Sequence, residues 1–335
     1  MQKRTERRAH QPRHGRSRRA RVARLLAGTA AVAATSFLGS AGLSATAGAS
    51  TAHRWVAVDR HVAPAMHSHV AINATGYDMV GTDGGVFVFP SGQTSGYYGS
   101  LPGMNIHINN IVGMVGSPTG KGYFLVGSDG GVFAFGDANF AGSLPGMKIY
   151  VNDIVGIIPT SDGLGYFLVG ADGGVFTFGD AVYVGSLPGN SVSVNDVVGI
   201  AATPDNKGYW VLENNGTITN FGTAPAITSL TCPAGPGQCG NLVAIVADNT
   251  GQGVWVVDQF GNVYNLGDAP FYGDLSTLGA AQPSNIVSLV PYGNDTGYWL
   301  IGDDGGIFGY NAPFLGSLPQ LGVVVNNVVG AVPTT

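Results

Sequence analysis

The chain has 335 residues, of which 54 are glycine, 44% are hydrophobic and only 10% are charged, with a net charge of −5. Ordinary globular chains carry roughly 7% glycine and about 25% charged residues. The apolar content suffices for a buried core, which argues against disorder, and the absence of a Gly-X-Y period excludes collagen, so the excess glycine points to many tight turns.

Charge is unevenly placed. Ten of the 15 Lys/Arg but only one of the 20 acids, Glu6, fall in residues 1–24, which leaves a net of −14 beyond them. The basic head runs into an apolar stretch, 25–43, and then into Ala45-Thr46-Ala47 and Ala47-Gly48-Ala49. That order is the pattern of an export signal, so residues 1–49 are assigned as a signal peptide and 50–335 as the mature domain. The apolar stretch is rich in Gly, Ala, Ser and Thr and is marginal as a span, so no stable transmembrane segment is expected after cleavage. The protein is expected to be secreted or associated with the cell surface. Ser17-Arg18-Arg19 resembles a twin-arginine signal, but Ala20-Arg21-Val22 lacks the hydrophobic continuation, and the export route stays open.

The mature chain is built on one repeat. Its anchor is Gly76-Tyr77, Gly122-Tyr123, Gly165-Tyr166, Gly208-Tyr209, Gly253-Val254 and Gly297-Tyr298, spaced by 46, 43, 43, 45 and 44 residues. A four-stranded propeller blade takes about 40–45 residues. Each unit opens with an apolar run such as 154–158, suited to a strand buried on both faces. Two further runs, such as 166–169 and 174–178, follow around an Asp-Gly or Asn-Gly pair, which predicts a hairpin with a type I′ turn. The pairs are Asp83-Gly84, Asp129-Gly130, Asp172-Gly173, Asn215-Gly216 and Asp304-Gly305, with Phe260-Gly261 the exception. A fourth, shorter run such as 181–186 ends in Gly-Ser-Leu-Pro and reads as an outer edge strand.

These features predict an all-β protein, a β-propeller, with repeats starting near 69, 110, 153, 196, 241 and 285 and a terminal strand at 327–333. A parallel β-helix is the rival, but its coils are shorter and lack the hairpin. The hairpin occurs six times, whereas the first apolar strand occurs seven times, near Val70, Ile111, Ile154, Val197, Leu242, Ile286 and Val328. The preferred reading is seven blades, six full repeats plus a composite blade in which the last strand pairs with residues 54–58. The alternative is six blades with a loose C-terminal strand.

The run Gly-Tyr-Phe-Leu-Val-Gly-Ser-Asp-Gly-Gly-Val-Phe-Ala-Phe-Gly-Asp-Ala at 122–138 resembles the Gly-rich repeats of secreted actinobacterial proteins, over roughly residues 69–335. That resemblance implies a propeller and an occasional association with cell-wall-active domains, and implies no particular activity.

Cys232 and Cys239 bracket a Pro/Gly-rich insert, and in an oxidising compartment they are expected to form a local disulfide. There is no G-x-S-x-G elbow, and Ser143 and Ser186 recur in Gly-Ser-Leu-Pro corners as turn hydroxyls. The histidines His53, His61, His67, His69 and His107 lack a paired spacing for a metal, no calcium loop is present, and no cofactor is expected. The five basic residues of the mature chain and its net −14 make nucleic acid a poor partner.

Two repeated positions remain as binding candidates. A polar residue enters each apolar strand: Ser68, Asn110, Asp153, Asp196, Asn241, Asn285 and Asn327. If those strands line the channel, these side chains form a polar collar for a sugar or cation; capping of a turn is the competing explanation. An aromatic recurs in the fourth run (Tyr97, Phe140, Tyr183, Phe271, Phe314), either exposed for stacking on sugars or packed between blades. The expected function is non-catalytic binding or scaffolding at the cell surface, with a cell-wall glycan or an extracellular protein as partner. The alternative is a hydrolase or lyase at the channel mouth, which polar residues that break the repeat (Glu213, Asn214, Gln259, Asp303) would favour by clustering on one face.

Overall fold

A computed structural model describes residues 74–89, 96–230 and 241–334, all within one unit spanning 47–335. The strands are β1 (Gly76–Gly81) and β2 (Val86–Phe89), then β3 (Ile111–Gly116), β4 (Gly122–Gly127) and β5 (Val132–Gly136), and β6 (Ile154–Pro159), β7 (Tyr166–Gly170) and β8 (Val175–Phe178). They continue with β9 (Val197–Ala202), β10 (Gly208–Glu213) and β11 (Ile218–Gly222), and with β12 (Leu242–Ala247), β13 (Val254–Asp258) and β14 (Val263–Leu266). The last are β15 (Ile286–Tyr292), β16 (Gly297–Gly302), β17 (Ile307–Tyr310) and β18 (Val328–Thr334).

They pair into six antiparallel sheets of three strands each, five of them sequential and the other ordered β18-β1-β2. The first strand of each sheet packs beside the first strand of the next: β3 by β6, β6 by β9, β9 by β12, β12 by β15, β15 by β18, and β18 by β3. The series returns to its start, so six sheets stand radially around an axis lined by their first strands. This is a β-propeller.

Six blades, not seven, form among the described residues. The surplus first strand is neither loose nor part of a seventh blade: β18 pairs with β1 from Gly76↔Thr334 to Gly81↔Val328. It takes the slot that a strand near Val70 would otherwise fill. Residues 54–58, the partner expected for it, lie outside the described residues, as do the signal segment and Cys232 and Cys239.

The blades also have three strands where four were expected. The fourth run descends the outside of each blade without a ladder and keeps one recurring bond, such as Leu144 N–H to Gly130 O at 3.1 Å and Leu101 N–H to Gly84 O at 3.1 Å. Its carbonyls are spent elsewhere. Tyr123 Oη donates to Gly99 O at 2.5 Å and Tyr298 Oη to Gly273 O at 2.5 Å, and Tyr166 and Tyr209 do the same to Gly142 and Gly185. Each tyrosine reaches into the corner of the preceding blade. Only Val254 lacks the hydroxyl, and the corner before it, Thr228-Ser229-Leu230, is the one without the glycine.

The core lies in the seams between blades. Second strands are buried on both faces, and alternate residues face opposite neighbours. Phe124 and Val126 pack on Tyr166 and Leu168, and Trp255 and Val257 on Tyr298 and Leu300. Aromatic pairs such as Phe167–Tyr209 (5.5 Å) and Trp299–Tyr77 (5.0 Å) join successive blades, and each fully buried ring contributes roughly 2–3 kcal/mol. One seam differs: Asp78 stands where the other second strands carry Phe or Trp, and it is only 1% exposed.

The hairpins are not type I′. Only the glycine is at positive φ, 73° at Gly84, Gly130 and Gly305 and 75° at Gly173. Gly130 N–H bonds Gly127 O, and Gly127 N–H bonds Gly131 O, so the turn is a three-residue loop with a bulged glycine. The aspartate accepts the N–H two residues on, as in Gly131 to Asp129 at 2.9 Å, which suits it to the turn without a left-handed φ.

Candidate functional site

All six first strands run the same way around the axis, so the residues that enter them gather at one mouth. Asn110, Asp153, Asp196, Asn241, Asn285 and Asn327 occupy equivalent places there; Ser68 lies outside the described residues. The backbone at these positions is engaged. The carbonyls of Asn327, Asn110, Asp153, Asp196, Asn241 and Asn285 accept from the N–H of Thr82, Ser128, Ala171, Asn214, Gln259 and Asp303, at 2.8–2.9 Å.

Those six partners, the residues just after each second strand, also reach forward to the next blade. Thr82 O accepts from Ile111 N–H, Ser128 O from Ile154, Ala171 O from Val197, Gln259 O from Ile286 and Asp303 O from Val328, each at 3.0 Å. Asn214 makes the same link through its side chain, Oδ1 accepting from Leu242 N–H at 2.9 Å. The mouth is therefore rimmed by a closed circuit of hydrogen bonds that crosses all six seams. Asn214, Gln259 and Asp303 stand out in the sequence as breaks in the repeat, whereas Thr82, Ser128 and Ala171 do not, because the identity of the residue matters little when its backbone makes the bond.

Just inside the rim, one residue of each first strand is skipped in the pairing register: Val112, Val155, Val198, Val243, Val287 and Val329. A bulge leaves a residue out of the ladder and re-aims its side chain. Valine at all six gives the mouth an apolar floor beneath its polar rim.

The mouth is most varied across blades 4 to 6. A pocket of about 150 Å³ opens there, with Asn241, Gln259, Ser284, Asn285 and Asp303 at its polar side and Val198, Val243 and Val287 on its floor. Asn241 Nδ2 donates to Gln259 Oε1 at 3.1 Å, and Asn285 Nδ2 donates to Asp303 Oδ1 at 2.8 Å. Burial raises the carboxyl pKa of Asp153, helped by the charge of Asp172, and that of Glu213, helped by Asp196.

The repeat-breaking residues do fall at this mouth, yet most have structural partners. Glu213 and Asp258 replace the glycine that ends other second strands. Asp258 is fully buried and accepts from Phe260 N–H (2.9 Å), Asn262 N–H (3.0 Å) and Asn262 Nδ2 (2.7 Å). It thus does the work of the aspartate that the Phe260-Gly261 hairpin lacks. Ser143 and Ser186 are turn hydroxyls, accepting from Gly146 and Gly189 N–H at 3.3 and 3.1 Å. No group of three or more His, Cys, Asp or Glu with metal-holding geometry occurs among the described residues.

At the opposite mouth, the aspartate of Gly-Asp-Ala is tied across to the first loop of the blade. Ser117 Oγ donates to Asp137 Oδ1 at 2.7 Å, Thr160 Oγ1 to Asp180 at 3.1 Å, and Thr250 Oγ1 to Asp268 at 3.0 Å. The fourth-run aromatics are not seam packing. Tyr97, Phe140, Tyr183, Phe271 and Phe314 are 43–56% exposed, one on the outer rim of each of five blades, because the run that carries them has no further strand or blade to cover it.

No family model and no curated protein matches the chain. Among solved structures it is similar to the β-propeller domain of Cps50 (Swd1) from Myceliophteria thermophila, at 13% identity over 63% of this chain and 68% of that one, with a TM-score of 0.43. No activity is carried over from that likeness. No helix among the described residues is long and apolar enough to cross a membrane.

Proposed function

We propose that this protein is a secreted, non-catalytic binding or scaffold propeller that acts at the cell surface, and that the collar mouth is its binding face. The observation that carries this reading is the convergence of one polar residue from every blade at one mouth, above a floor of valines. Binding sites are commonly concave, apolar at the base and lined by a few placed polar groups. The export pattern of residues 1–49 and the resemblance of 122–138 to secreted Gly-rich repeats support the extracellular setting. Retention of the purified protein on cell-wall glycans or on secreted proteins is the expected result; retention on neither would overturn it.

A hydrolase or lyase is the second reading, favoured by the gathering of Glu213, Asn214, Gln259 and Asp303 near the same mouth. It requires turnover of ester or glycoside substrates that Glu213→Gln or Asp303→Asn abolishes. The hydrogen bonds already made by Asn214, Gln259 and Asp303 support the non-catalytic reading over this one.

A further inference from the structure

We infer that the pocket at the collar between the fifth and sixth blades is a subsite for one neutral sugar residue. The inference rests on the collar mouth being the binding face, and it adds the place and the ligand chemistry.

Three observations select the ligand. The first is the state of the polar groups. The Asn241–Gln259 and Asn285–Asp303 bonds hold four side chains in fixed orientation and use one end of each. Asn241 Oδ1, Gln259 Nε2, Asn285 Oδ1, Asp303 Oδ2 and Ser284 Oγ are left without a hydrogen-bond partner among the described residues, yet all five residues line the pocket. Acceptors and donors are thus mixed, as a ligand of hydroxyl groups needs, since each hydroxyl both donates and accepts.

The second is charge. The pocket has no basic residue, so a phosphate or carboxylate ligand would be desolvated without compensation. It has one carboxylate, Asp303, already bonded to an amide, too few hard oxygens for a divalent cation.

The third is the floor. Val198, Val243 and Val287 come from three successive bulges and line the base with apolar side chains, which suits the C–H face of a sugar ring. The pocket's size, about 150 Å³, admits one residue of a chain and leaves its neighbours over the rim. Elsewhere around the collar the places of Gln259 and Asp303 are held by Thr82, Ser128 and Ala171, which are shorter, and by Asn214, whose Oδ1 is spent on Leu242 N–H.

Calorimetric titration of the purified full chain with cellohexaose, mannohexaose and chitohexaose tests the assignment. Binding of at least one is expected, weakened about tenfold or more by Gln259→Ala and by Asn285→Ala, and unchanged by Leu164→Ser on the opposite mouth. Val287→Phe, which fills the floor and removes no polar group, should also abolish binding, and a thermal melt of each variant shows whether it folds. Binding that survives all three pocket variants places the site elsewhere and overturns the subsite, while leaving the binding function intact. Retention of only charged polymers or proteins does the same. Failure to bind any glycan or protein overturns both.

Discussion

Tyr77 donates its hydroxyl to the carbonyl of Gly316 at 2.6 Å, although 239 residues separate them. Leu315 N–H in turn donates to the same hydroxyl at 3.3 Å, and burial pushes the phenol pKa up to about 12, so it stays protonated and can donate. The bond crosses the seam where the last blade meets the first, and it repeats the link by which Tyr123, Tyr166, Tyr209 and Tyr298 join their blades to the preceding ones.

Tyr77→Phe should therefore act on ring closure without touching the sheets. The expected cost is about 1–2 kcal/mol, from a buried carbonyl and N–H left without a partner. A lowered urea midpoint at unchanged slope would show it; an unaltered midpoint would mean that the corner is satisfied by water.

Ending the chain after Asn327 removes β18 and leaves β1 with an open edge at the centre of the molecule. Because β18 also packs between β15 and β3, the loss removes core from two seams. Circular dichroism is expected to show no cooperative melt for this truncation. A full-strength transition would mean that another segment takes the slot.

Gly130, like the hairpin glycines Gly84, Gly173, Gly261 and Gly305, has two constraints. Its φ is 73°, and a Cβ would lie 2.5 Å from Leu144 Cδ1. Gly130→Ala should cost about 1–2 kcal/mol for the left-handed backbone and a further ~1–3 kcal/mol for the clash. Gly322, at φ 70° with nothing within 4 Å, should cost only the first amount on change to Ala. Chemical denaturation of the two variants side by side measures the difference.

Asp78 sets an unusual pH dependence. Burial holds its carboxyl up at about 8, and Asp248 is raised to about 6 by burial and by the adjacent Asp268. Both bind their proton more tightly folded than unfolded, so the folded state holds more protons between about pH 4 and pH 8, and stability falls as pH rises through that window. The melting temperature should be higher at pH 5 than at pH 8, and Asp78→Asn should remove most of the difference. A melting temperature that rises with pH would contradict the assignment.

Local sequence was enough to place the repeat. The Gly-Tyr anchor, the Asp-Gly hairpin and the apolar first strand each mark backbone geometry or burial that short stretches of chain impose, and they place the blades to within a few residues. The collar was legible for the same reason, since its residues hold a constant place before each first strand. Tertiary structure alone decided how many blades close the ring, because Val70 and Val328 head segments of the same pattern and nothing local says which one β1 will pair with. It also decided that the fourth run is not a strand, since the carbonyls it would contribute are taken by tyrosines about 24 residues away in the next blade. The pocket belongs to the same class: Asn241, Gln259, Ser284, Asn285 and Asp303 come from two blades, and only closure of the ring brings their unused hydrogen-bonding groups around one space.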